Sequence, residues 1–328
     1  MVVNLLHKGK IGLAPMEGVI DALTRDLLTR QAGFDWTVTE FVRVVDTRLP
    51  PRVFYKHCPE LTERPVATPS GVPVHLQLLG SDPRALAENA RQALALGAIS
   101  VDLNFGCPAK LVNRHDGGAS LLRQPDRVYQ AVKAVAEALD GEIPVTAKIR
   151  LGFANRRLAV ACAQATEAGG AARLVVHGRT RDEGYRPPAH WEWIGKVRHH
   201  VSIPVVANGD IWTLEDYWKA RTLSGCCDVM LGRSALADPW LAPRIRYWQQ
   251  TGERLAETTW EMRASVLQEY AALQRQHLPD RVVVSLVKQW LAQMRQGNAE
   301  ADQHFQRLKR LTDLEALLGS LTTPSASL

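Results

Sequence analysis

The chain alternates short apolar runs with segments of helical periodicity, and this alternation restricts the folds open to it. Eight apolar or β-branched runs predict strands, and their starts lie about 25 to 45 residues apart. The runs are residues 11–15, 36–40, 74–79, 100–104, 145–149, 174–177, 205–208 and 228–231. Eight strand–helix units in about 240 residues predict an α/β fold of the (β/α)8 TIM-barrel type. A doubly wound open sheet is the alternative that the pattern leaves open.

The pattern changes near Pro243, after which no further strand is predicted. Helical periodicity dominates residues 260–276, 282–295 and 299–318 instead. We therefore predict a barrel domain over residues 1–243 and a small C-terminal helical domain over residues 244–321. The tail, residues 322–328, is predicted to be disordered.

The net charge and the cysteine content indicate the cellular compartment of the protein and the kinds of partner that it can bind. The 328 residues carry a formal net charge of +6 and give a pI of about 9.2, a weak indication of a polyanionic partner. No apolar run approaches the roughly 18 residues of a membrane span, and the first residues show no signal-peptide pattern. Five irregularly spaced cysteines argue against a disulfide framework or a metal clamp. We expect a cytoplasmic protein that has no membrane or metal partner.

Polar, glycine and proline residues stand at or just beyond the ends of all eight predicted strands. They are Pro15, Met16, Glu40, Gln77, Asn104, Cys107, Lys148, His177, Asn208, Gly209, Gly232 and Arg233. In a parallel barrel all strands end on one face, where barrel enzymes hold their active sites. We therefore predict that these residues line a single mouth, although each alone also fits an ordinary strand cap or turn.

Several of these positions carry specific chemistry. Glycines after strands seven and eight, followed by Arg233, are typical of a barrel phosphate site. Lys148 lies in an apolar run, where an ammonium is costly unless it has an anionic partner. His177 fits either a ligand contact or a satisfied structural histidine. Cys107 can act as a proton donor or a nucleophile, and the alternative is a buried structural cysteine.

Seven sequence segments together resemble the tRNA-dihydrouridine synthase family. They are Ala14-Pro15-Met16-Glu17-Gly18, Gln77-Leu78, Leu103-Asn104-Phe105-Gly106-Cys107-Pro108, Lys148, Val175-Val176-His177-Gly178-Arg179-Thr180, Asn208-Gly209-Asp210-Ile211 and Met230-Leu231-Gly232-Arg233. The resemblance spans nearly the whole chain, and the Asn-x-Gly-Cys-Pro element is its most specific part. The segment Glu40-Phe41-Val42-Arg43-Val44 and the C-terminal helices are most similar to the bacterial C-type subfamily, which modifies uridine 16 in the tRNA D-loop.

The resemblance implies an FMN-dependent reductase that converts uridine in tRNA to 5,6-dihydrouridine, with FMN tightly bound and NADPH as a transient reductant. It makes Cys107 the general acid and gives Asn104 a part in placing the uracil. The residues that it assigns to the flavin are Pro15, Met16, Glu17, Gln77, Lys148, His177, Asn208, Gly209, Asp210, Gly232 and Arg233. No Gly-x-Gly-x-x-Gly fingerprint is present, so we expect the nicotinamide to visit the same mouth.

Basic residues are concentrated in the loops that would border the mouth, and they fit an RNA partner. They are Arg43, Arg48, Arg52, Lys56, Lys110, Arg114, Arg156, Arg157, Arg179, Arg181 and Arg186. We predict tRNA contacts at Arg43, Arg156 and Arg157, and base stacking on Tyr185. Ordinary solvated side chains are the alternative for each.

A second set of basic residues lies in the helical domain. Arg281, Lys288 and Arg295, here called the basic stripe, recur every seven residues and would share one helix face that can follow phosphates. Two other functions remain open: a flavin barrel acting on a free pyrimidine, similar to dihydroorotate dehydrogenase, and a non-catalytic RNA-binding protein. The basic loops and the helical domain argue against the first, and Cys107 with the phosphate loops argues against the second.

Overall fold

The computed structural model describes residues 8–109, 112–113, 116–296 and 298–322. Its strands are β1 (Ile11–Leu13), β2 (Trp36–Val38), β3 (Val42–Arg43), β4 (Val74–Leu79), β5 (Val101–Phe105), β6 (Val145–Arg150), β7 (Arg173–His177), β8 (Val205–Asn208) and β9 (Val229–Leu231). Neighbouring strands are parallel, and β2 pairs with both β1 and β4, so eight strands close into a barrel. The short β3 pairs with the end of β4. The TIM-barrel prediction is confirmed, and the open-sheet alternative is wrong.

Helices connect the strands and continue after the last of them. They are α1 (Ala22–Arg30), α2 (Pro51–His57), α3 (Pro83–Ala95), α4 (Pro125–Leu139), α5 (Ala159–Ala168), α6 (Trp191–Arg198), α7 (Leu214–Ser224), α8 (Arg233–Ala237), α9 (Leu241–Thr251), α10 (Trp260–Gln274), α11 (Asp280–Met294), α12 (Ala299–Leu308) and α13 (Leu314–Leu321), with 3-10 turns at Pro59–Thr62 and Gly118–Arg123. Capping side chains fix the first residue of several of these helices. Asp82 caps α3 by accepting from the Ala85 N–H, and Thr213 forms a reciprocal capping box with Asp216 at α7.

Alternate residues of the strands face two different environments. In β5, the side chains of Val101, Leu103 and Phe105 pack in the large core between strands and helices, whereas Asp102 and Asn104 point into the barrel. The apolar part of the interior is a small cluster formed by Ala14, Trp36, Val38, Val175, Val206 and Met230. Polar side chains therefore occupy much of the rest of the interior, beneath the ends of the strands.

The described chain separates into two compact units. The first contains the residues up to Ala22 together with Phe34–Gly232, and it holds every strand described. The second contains Leu23–Gly33 and the residues from Arg233 onward, so most of α1 belongs with the C-terminal helices. The sequence placed the boundary near Pro243, whereas the units divide at Gly232. Helix α8 packs with the later helices, and Trp290 Nε1 donates to the Leu236 carbonyl at 3.0 Å.

The second unit is built from helices around aromatic residues, and the C-terminal helical domain is confirmed. The Trp260 indole stacks on the His304 ring with 3.7 Å between centroids, and its Nε1 donates to the Leu321 carbonyl at 2.7 Å. The single helix predicted over residues 299–318 is wrong, because α13 begins with its own cap: Asp313 accepts from the Ala316 N–H at 2.8 Å. Of the predicted tail, residues 323–328 lie outside the described residues. None of the described helices is both long and apolar enough to span a bilayer.

Candidate active site

The side chain of Asn104, near the end of β5, holds the backbone at Cys107. Asn104 Oδ1 accepts from the N–H groups of Gly106 and Cys107, both at 2.9 Å. Asn113 Nδ2 and the Ala119 N–H donate to the Cys107 carbonyl at 3.0 and 3.2 Å. Both main-chain polar groups of Cys107 are therefore bonded, and the thiol is presented from a fixed backbone.

Arg150, at the end of the neighbouring strand β6, hydrogen-bonds to the backbone of the loop that carries Cys107. Its Nε donates to the Gly106 carbonyl at 2.8 Å, and its Nη1 donates to the carbonyls of Thr180 and Gly184 at 3.2 and 2.9 Å. The guanidinium carbon also lies 5.2 Å from the centre of the Tyr185 ring. Since Arg150 is only 3% exposed, it joins the loops that follow β5 and β7.

The Cys107 thiol is in an environment that keeps it protonated. Burial raises the pKa of the Cys107 thiol above its usual value, and the Ala109 N–H and the positive charge of Arg150 oppose this only in part. Cys107 is partly exposed, whereas three of the other four cysteines are buried. A protonated, accessible thiol is what a general acid at neutral pH requires.

The side chains of four polar residues, Asp102, Gln77, Asn104 and Thr146, form a hydrogen-bonded cluster inside the barrel, below the mouth. Asp102 is buried and accepts from Gln77 Nε2 at 2.7 Å and from the Thr146 hydroxyl at 2.5 Å. Gln77 Oε1 in turn accepts from Asn104 Nδ2 at 2.8 Å, and the Gln77 N–H donates to the Thr39 hydroxyl at 3.0 Å. Burial raises the pKa of Asp102, and its bonds to Gln77 and Thr146 oppose that rise. The cluster links the interior directly to the loop of Cys107.

Lys148 pairs with Asn104 in the register of β5 and β6, and it brings an ammonium to the same level. Burial, then the positive charge of Arg150, lower the pKa of Lys148 to about 8, while the Asp102 carboxylate opposes the decrease. The ammonium is still mostly charged at pH 7, so it is suited to hold an anionic group in a sparsely solvated site.

His177 is fixed as a neutral imidazole with one nitrogen left over. Asn208 Nδ2 donates to the Met230 carbonyl at 2.8 Å, so Asn208 Oδ1 is the acceptor for His177 Nδ1 at 2.9 Å. Burial, then the positive charges of Arg150 and Lys148, hold the pKa of His177 well below its usual value. His177 Nε2 is therefore a buried acceptor, and it has no partner among the described residues.

The loops after β7 and β8 come close together through glycine. Gly209 has φ +113°, and a Cβ there would lie 3.2 Å from Ala189 Cβ and 3.3 Å from His177 Cε1. The carboxylate of Asp210 accepts from the Ala189 N–H at 3.1 Å and pairs with the fully buried Arg179. Arg179 is thus part of the loop framework, and the expectation that it faces an RNA is wrong.

The remaining predicted flavin residues lie at the ends of β1 and β9. Pro15 and Met16 are partly buried just beyond β1, and Gly232 follows β9, where a Cβ would lie 3.6 Å from Met16 Sδ. The Glu17 residue as a whole is exposed. Partial desolvation of its carboxyl group, followed by the negative charge of Glu40, raises the pKa of Glu17. Arg233 begins α8 in the second unit, where its Nη1 lies 3.5 Å from Gln296 Oε1.

Two of the predicted tRNA contacts in the barrel loops are available to solvent. Tyr185 is 51% exposed and packs edge-on against His177, with 6.2 Å between ring centroids. Arg157 is exposed and Arg43 is partly buried. Arg156 is partly buried and pairs with Glu183, so a phosphate would have to compete with that carboxylate. Lys110 and Arg114 lie outside the described residues.

The basic stripe lies on α11 and at its C-terminal end. Arg281 is exposed and Lys288 is partly buried. Arg295 follows the last helical residue, where its Nε pairs with Asp302 Oδ1 at 2.7 Å and its guanidinium carbon lies 4.6 Å from the centre of the Phe305 ring. Within the described residues, Arg281 and Lys288 form no ion pair of the kind that joins Arg295 to Asp302.

Sequence reasoning missed Asp102 and Arg150 as parts of the site. Both sit in apolar strand runs at alternate positions with Asn104 and Lys148, so the two-residue period of a strand already put them on the inward face. That period was the available signal for both residues. No group of three or more His, Cys, Asp or Glu side chains in the described ranges is arranged to hold a metal ion.

The fold and the site together define a TIM-barrel enzyme with a protonated thiol, an ammonium and a neutral imidazole at the C-terminal mouth. A family profile described as dihydrouridine synthase matches residues 12–323. The chain is 46% identical over 307 residues to the tRNA-dihydrouridine(16) synthase of Ralstonia nicotianae, covering 94% of this chain and 93% of that protein. It is 45% identical over 308 residues to the protein of the same name from Aquipseudomonas alcaligenes, covering 94% and 97%.

Among solved structures, histamine dehydrogenase from Rhizobium sp. 4-9 matches with a TM-score of 0.53 at 14% identity, over 75% of this chain and 48% of that chain. The chain thus spans about half of that structure, and the likeness concerns the fold alone. The profile and the full-length relatives show that the chain belongs to the dihydrouridine synthase family. The resemblance found in the sequence is confirmed.

Proposed function

We propose that this chain reduces uridine 16 in the D-loop of tRNA to 5,6-dihydrouridine, with tightly bound FMN as cofactor and NADPH as reductant. The family and the names of its full-length relatives support the reaction and the position. The observation that carries the proposal is the protonated Cys107 thiol, held on a bonded backbone at a barrel mouth that also contains Lys148 and His177. A tRNA substrate supports the cytoplasm as the compartment.

The residues at the mouth fit FMN. His177 Nε2 is a buried acceptor that a ligand N–H or hydroxyl can satisfy, and the Lys148 ammonium suits the negative charge of a reduced isoalloxazine ring. Gly209 lets the backbone after β8 lie against the loop after β7, and these loops commonly bind phosphate in barrels of this type. The residues proposed to hold the ring are Pro15, Met16, Glu17, Gln77, Lys148, His177 and Asn208. Those proposed for the phosphate are Gly209, Asp210 and Gly232 through their backbone N–H groups, since the Asp210 carboxylate already pairs with Arg179, and Arg233 through its guanidinium.

The chain's own residues supply the proton and the orientation. When bound and reduced, FMN would supply a hydride to C6 of the uracil. Cys107 donates its proton to C5, and the thiolate that remains is stabilised by the positive charges of Arg150 and Lys148 until solvent reprotonates it. One N–H of Asn104 Nδ2 donates to Gln77 Oε1, and the second N–H can donate to a uracil carbonyl. The hydride and the proton together complete the two-electron reduction.

The substrate has to leave its stack to reach such a mouth. A uridine turned out of folded tRNA needs a surface on which its neighbours can stack and cations that hold its backbone. Tyr185 supplies an exposed ring at the mouth, and Arg43, Arg156 and Arg157 supply charge. We propose that the helical residues 244–321 bind tRNA through the basic stripe and so select the nucleotide.

The test is a reconstituted reaction in which dihydrouridine is mapped by position. Purified protein is given FMN, NADPH and unmodified tRNA transcript, and reactions lacking each component serve as controls. The proposal expects product at position 16 only when all three are present. Turnover of free uridine or orotate without tRNA would favour the free-pyrimidine reductase, and binding of tRNA without any product would favour the non-catalytic reading.

A further inference from the structure

We propose that Asp102 is a positioning residue for the proton donor: it orients Gln77, which orients Asn104, which holds the backbone of Cys107. The inference rests on the proposed function, because it gives Cys107 the role of acid. It adds a residue that touches neither the uracil nor the thiol and acts through two amide side chains.

The first step is the fixed direction of the Gln77 amide. The backbone N–H groups of Gly106 and Cys107 can only donate, so the Asn104 atom that faces them is Oδ1 and Asn104 Nδ2 faces Gln77. Gln77 therefore accepts through Oε1, and its Nε2 donates to the Asp102 oxygen at 2.7 Å. The second Asp102 oxygen accepts from the Thr146 hydroxyl. Burial raises the pKa of Asp102, and the bonds from Gln77 and Thr146, then the positive charges of Arg173 and Lys148, oppose that rise.

The second step carries this direction to the loop. With Nε2 turned to Asp102, Gln77 offers Oε1 to Asn104 and accepts from Asn104 Nδ2 at 2.8 Å. Asn104 is then left with Oδ1 facing the N–H groups of Gly106 and Cys107, both of which need an acceptor. Every donor in this series meets an acceptor, and reversing any one amide would bring two donors or two acceptors together.

The consequence is that a change of one atom at position 102 should reach the loop. In Asp102→Asn the new amide can keep the bond from Thr146 only by turning its NH2 group toward Gln77. Gln77 must then present Oε1 to position 102 and Nε2 to Asn104, which opposes the bonds that Asn104 makes to Gly106 and Cys107. If position 102 turns its NH2 group to Thr146 instead, the hydroxyl proton loses its buried acceptor. Only the first orientation reverses the bonds of Gln77 and Asn104, whereas the second changes the Thr146 bond alone. Gln77→Leu, which removes the middle link outright, is therefore measured beside Asp102→Asn.

A double variant separates the effect of hydrogen-bond direction from the effect of altered side-chain packing. Asp102→Asn with Gln77→Glu exchanges the carboxylate and the amide between two neighbouring positions and keeps the total charge. The amide at 102 then donates to the carboxylate at 77, whose other oxygen accepts from Asn104 Nδ2. The bonds of Asn104 to Gly106 and Cys107 are restored in their original direction. Thr146→Val is the matched control, because it removes a buried bond to Asp102 and leaves the Gln77 bond intact.

The experiment measures amide hydrogen exchange at Gly106 and Cys107 in full-length protein, with and without FMN, by mass spectrometry of the peptide that contains them. Loss of a hydrogen bond of ordinary strength should speed exchange there on the order of tenfold in Asp102→Asn. We expect the wild-type rate in Thr146→Val and a return toward it in the double variant. Should Asp102→Asn fail to fold, Gln77→Leu, which breaks the middle link, has to speed the same exchange.

Exchange at the wild-type rate in both Asp102→Asn and Gln77→Leu would overturn the proposal, as would equal acceleration in Thr146→Val. A failure of the double variant to slow exchange would also contradict it. Turnover gives the second readout: Asp102→Asn should lower kcat for dihydrouridine formation while leaving the tRNA concentration for half-saturation unchanged. If wild type forms no dihydrouridine, the proposed function fails, and the exchange measurements still decide whether Asp102 orients the loop.

Discussion

Lys148 allows the effect of the site on stability to be predicted as a number. Its ammonium is largely removed from water, so its charge should lower the free energy of unfolding. Burial lowers the pKa of Lys148 from 10.5 to about 8. Since each tenfold change in proton affinity corresponds to about 1.4 kcal/mol, the protonated side chain destabilises the folded state by about 3 kcal/mol at pH 7. Lys148→Met removes the ammonium and keeps most of the volume. We therefore expect the variant to be more stable than wild type and inactive.

The pH dependence has a definite sign. The pKa of Lys148 is lower in the folded chain than in the unfolded chain, so the unfolded state binds more protons between pH 8 and 10.5. The stability advantage of Lys148→Met is therefore fully present below pH 8 and disappears as the pH rises toward 10.5. At pH 7 the midpoint of thermal unfolding should rise by about 6–12 °C, at about 2–4 °C per kcal/mol for a domain of this size.

The assay is thermal unfolding of the FMN-free protein at pH 7, 8, 9 and 10, followed by circular dichroism. Lys133→Met is the matched control, because Lys133 lies on the surface of α4 beside Glu137 and should change the midpoint little at any pH. An unchanged or lower midpoint for Lys148→Met at pH 7 would refute the reasoning. A stabilisation that stays constant up to pH 10 would show that the gain comes from packing and not from the charge.

Three further predictions follow from the site and the helices. Product formation should fall above about pH 8 as Lys148 loses its proton, and Lys148→Arg should move that fall to higher pH, which a pH–rate profile measures. Gly209→Ala should lower the free energy of unfolding by about 1–3 kcal/mol, because alanine is strained at the positive φ of this position, and it should also weaken FMN binding. Gly232→Ala is the stability control in the same denaturation series, since a Cβ at Gly232 would make only ordinary van der Waals contacts. Changing the three residues of the basic stripe to alanine should weaken tRNA binding and flatten the plot of log K against log salt by roughly 0.7–0.9 per lost contact; an unchanged slope in a filter-binding titration would leave the stripe as a solvated helix face.

The strands were predictable because each is an apolar or β-branched run bounded by turn residues. Val74–Leu79 and Val205–Asn208 match their predicted bounds, and eight parallel strands leave few arrangements other than a barrel. The helix predicted over residues 299–318 was harder, because its apolar period continues across the break. Only the cap at Asp313 shows where the chain stops and restarts.

The candidate site was predictable as a set of strand ends and not as a network. Convergence of Gln77, Asn104 and Lys148 follows from parallel strands alone: the structure joins Gln77 to Asn104 by a hydrogen bond and places Lys148 beside Asn104 in the strand register. The partner of each polar group depends on side-chain directions across strands, which a sequence does not encode locally. For that reason the sequence predicted an exposed arginine at Arg179, whereas the structure has Arg179 buried in an ion pair with Asp210.

The central claim is that Cys107 protonates a uracil that is reduced at this mouth, and rapid mixing tests it most directly. Protein carrying FMN is reduced with NADPH without oxygen and mixed with unmodified tRNA, and flavin reoxidation and dihydrouridine are followed together. Wild type should reoxidise in step with product at position 16. Cys107→Ala should be reduced by NADPH at the wild-type rate and form product about 10²–10⁴-fold more slowly. Product formation by Cys107→Ala at the wild-type rate would contradict the account.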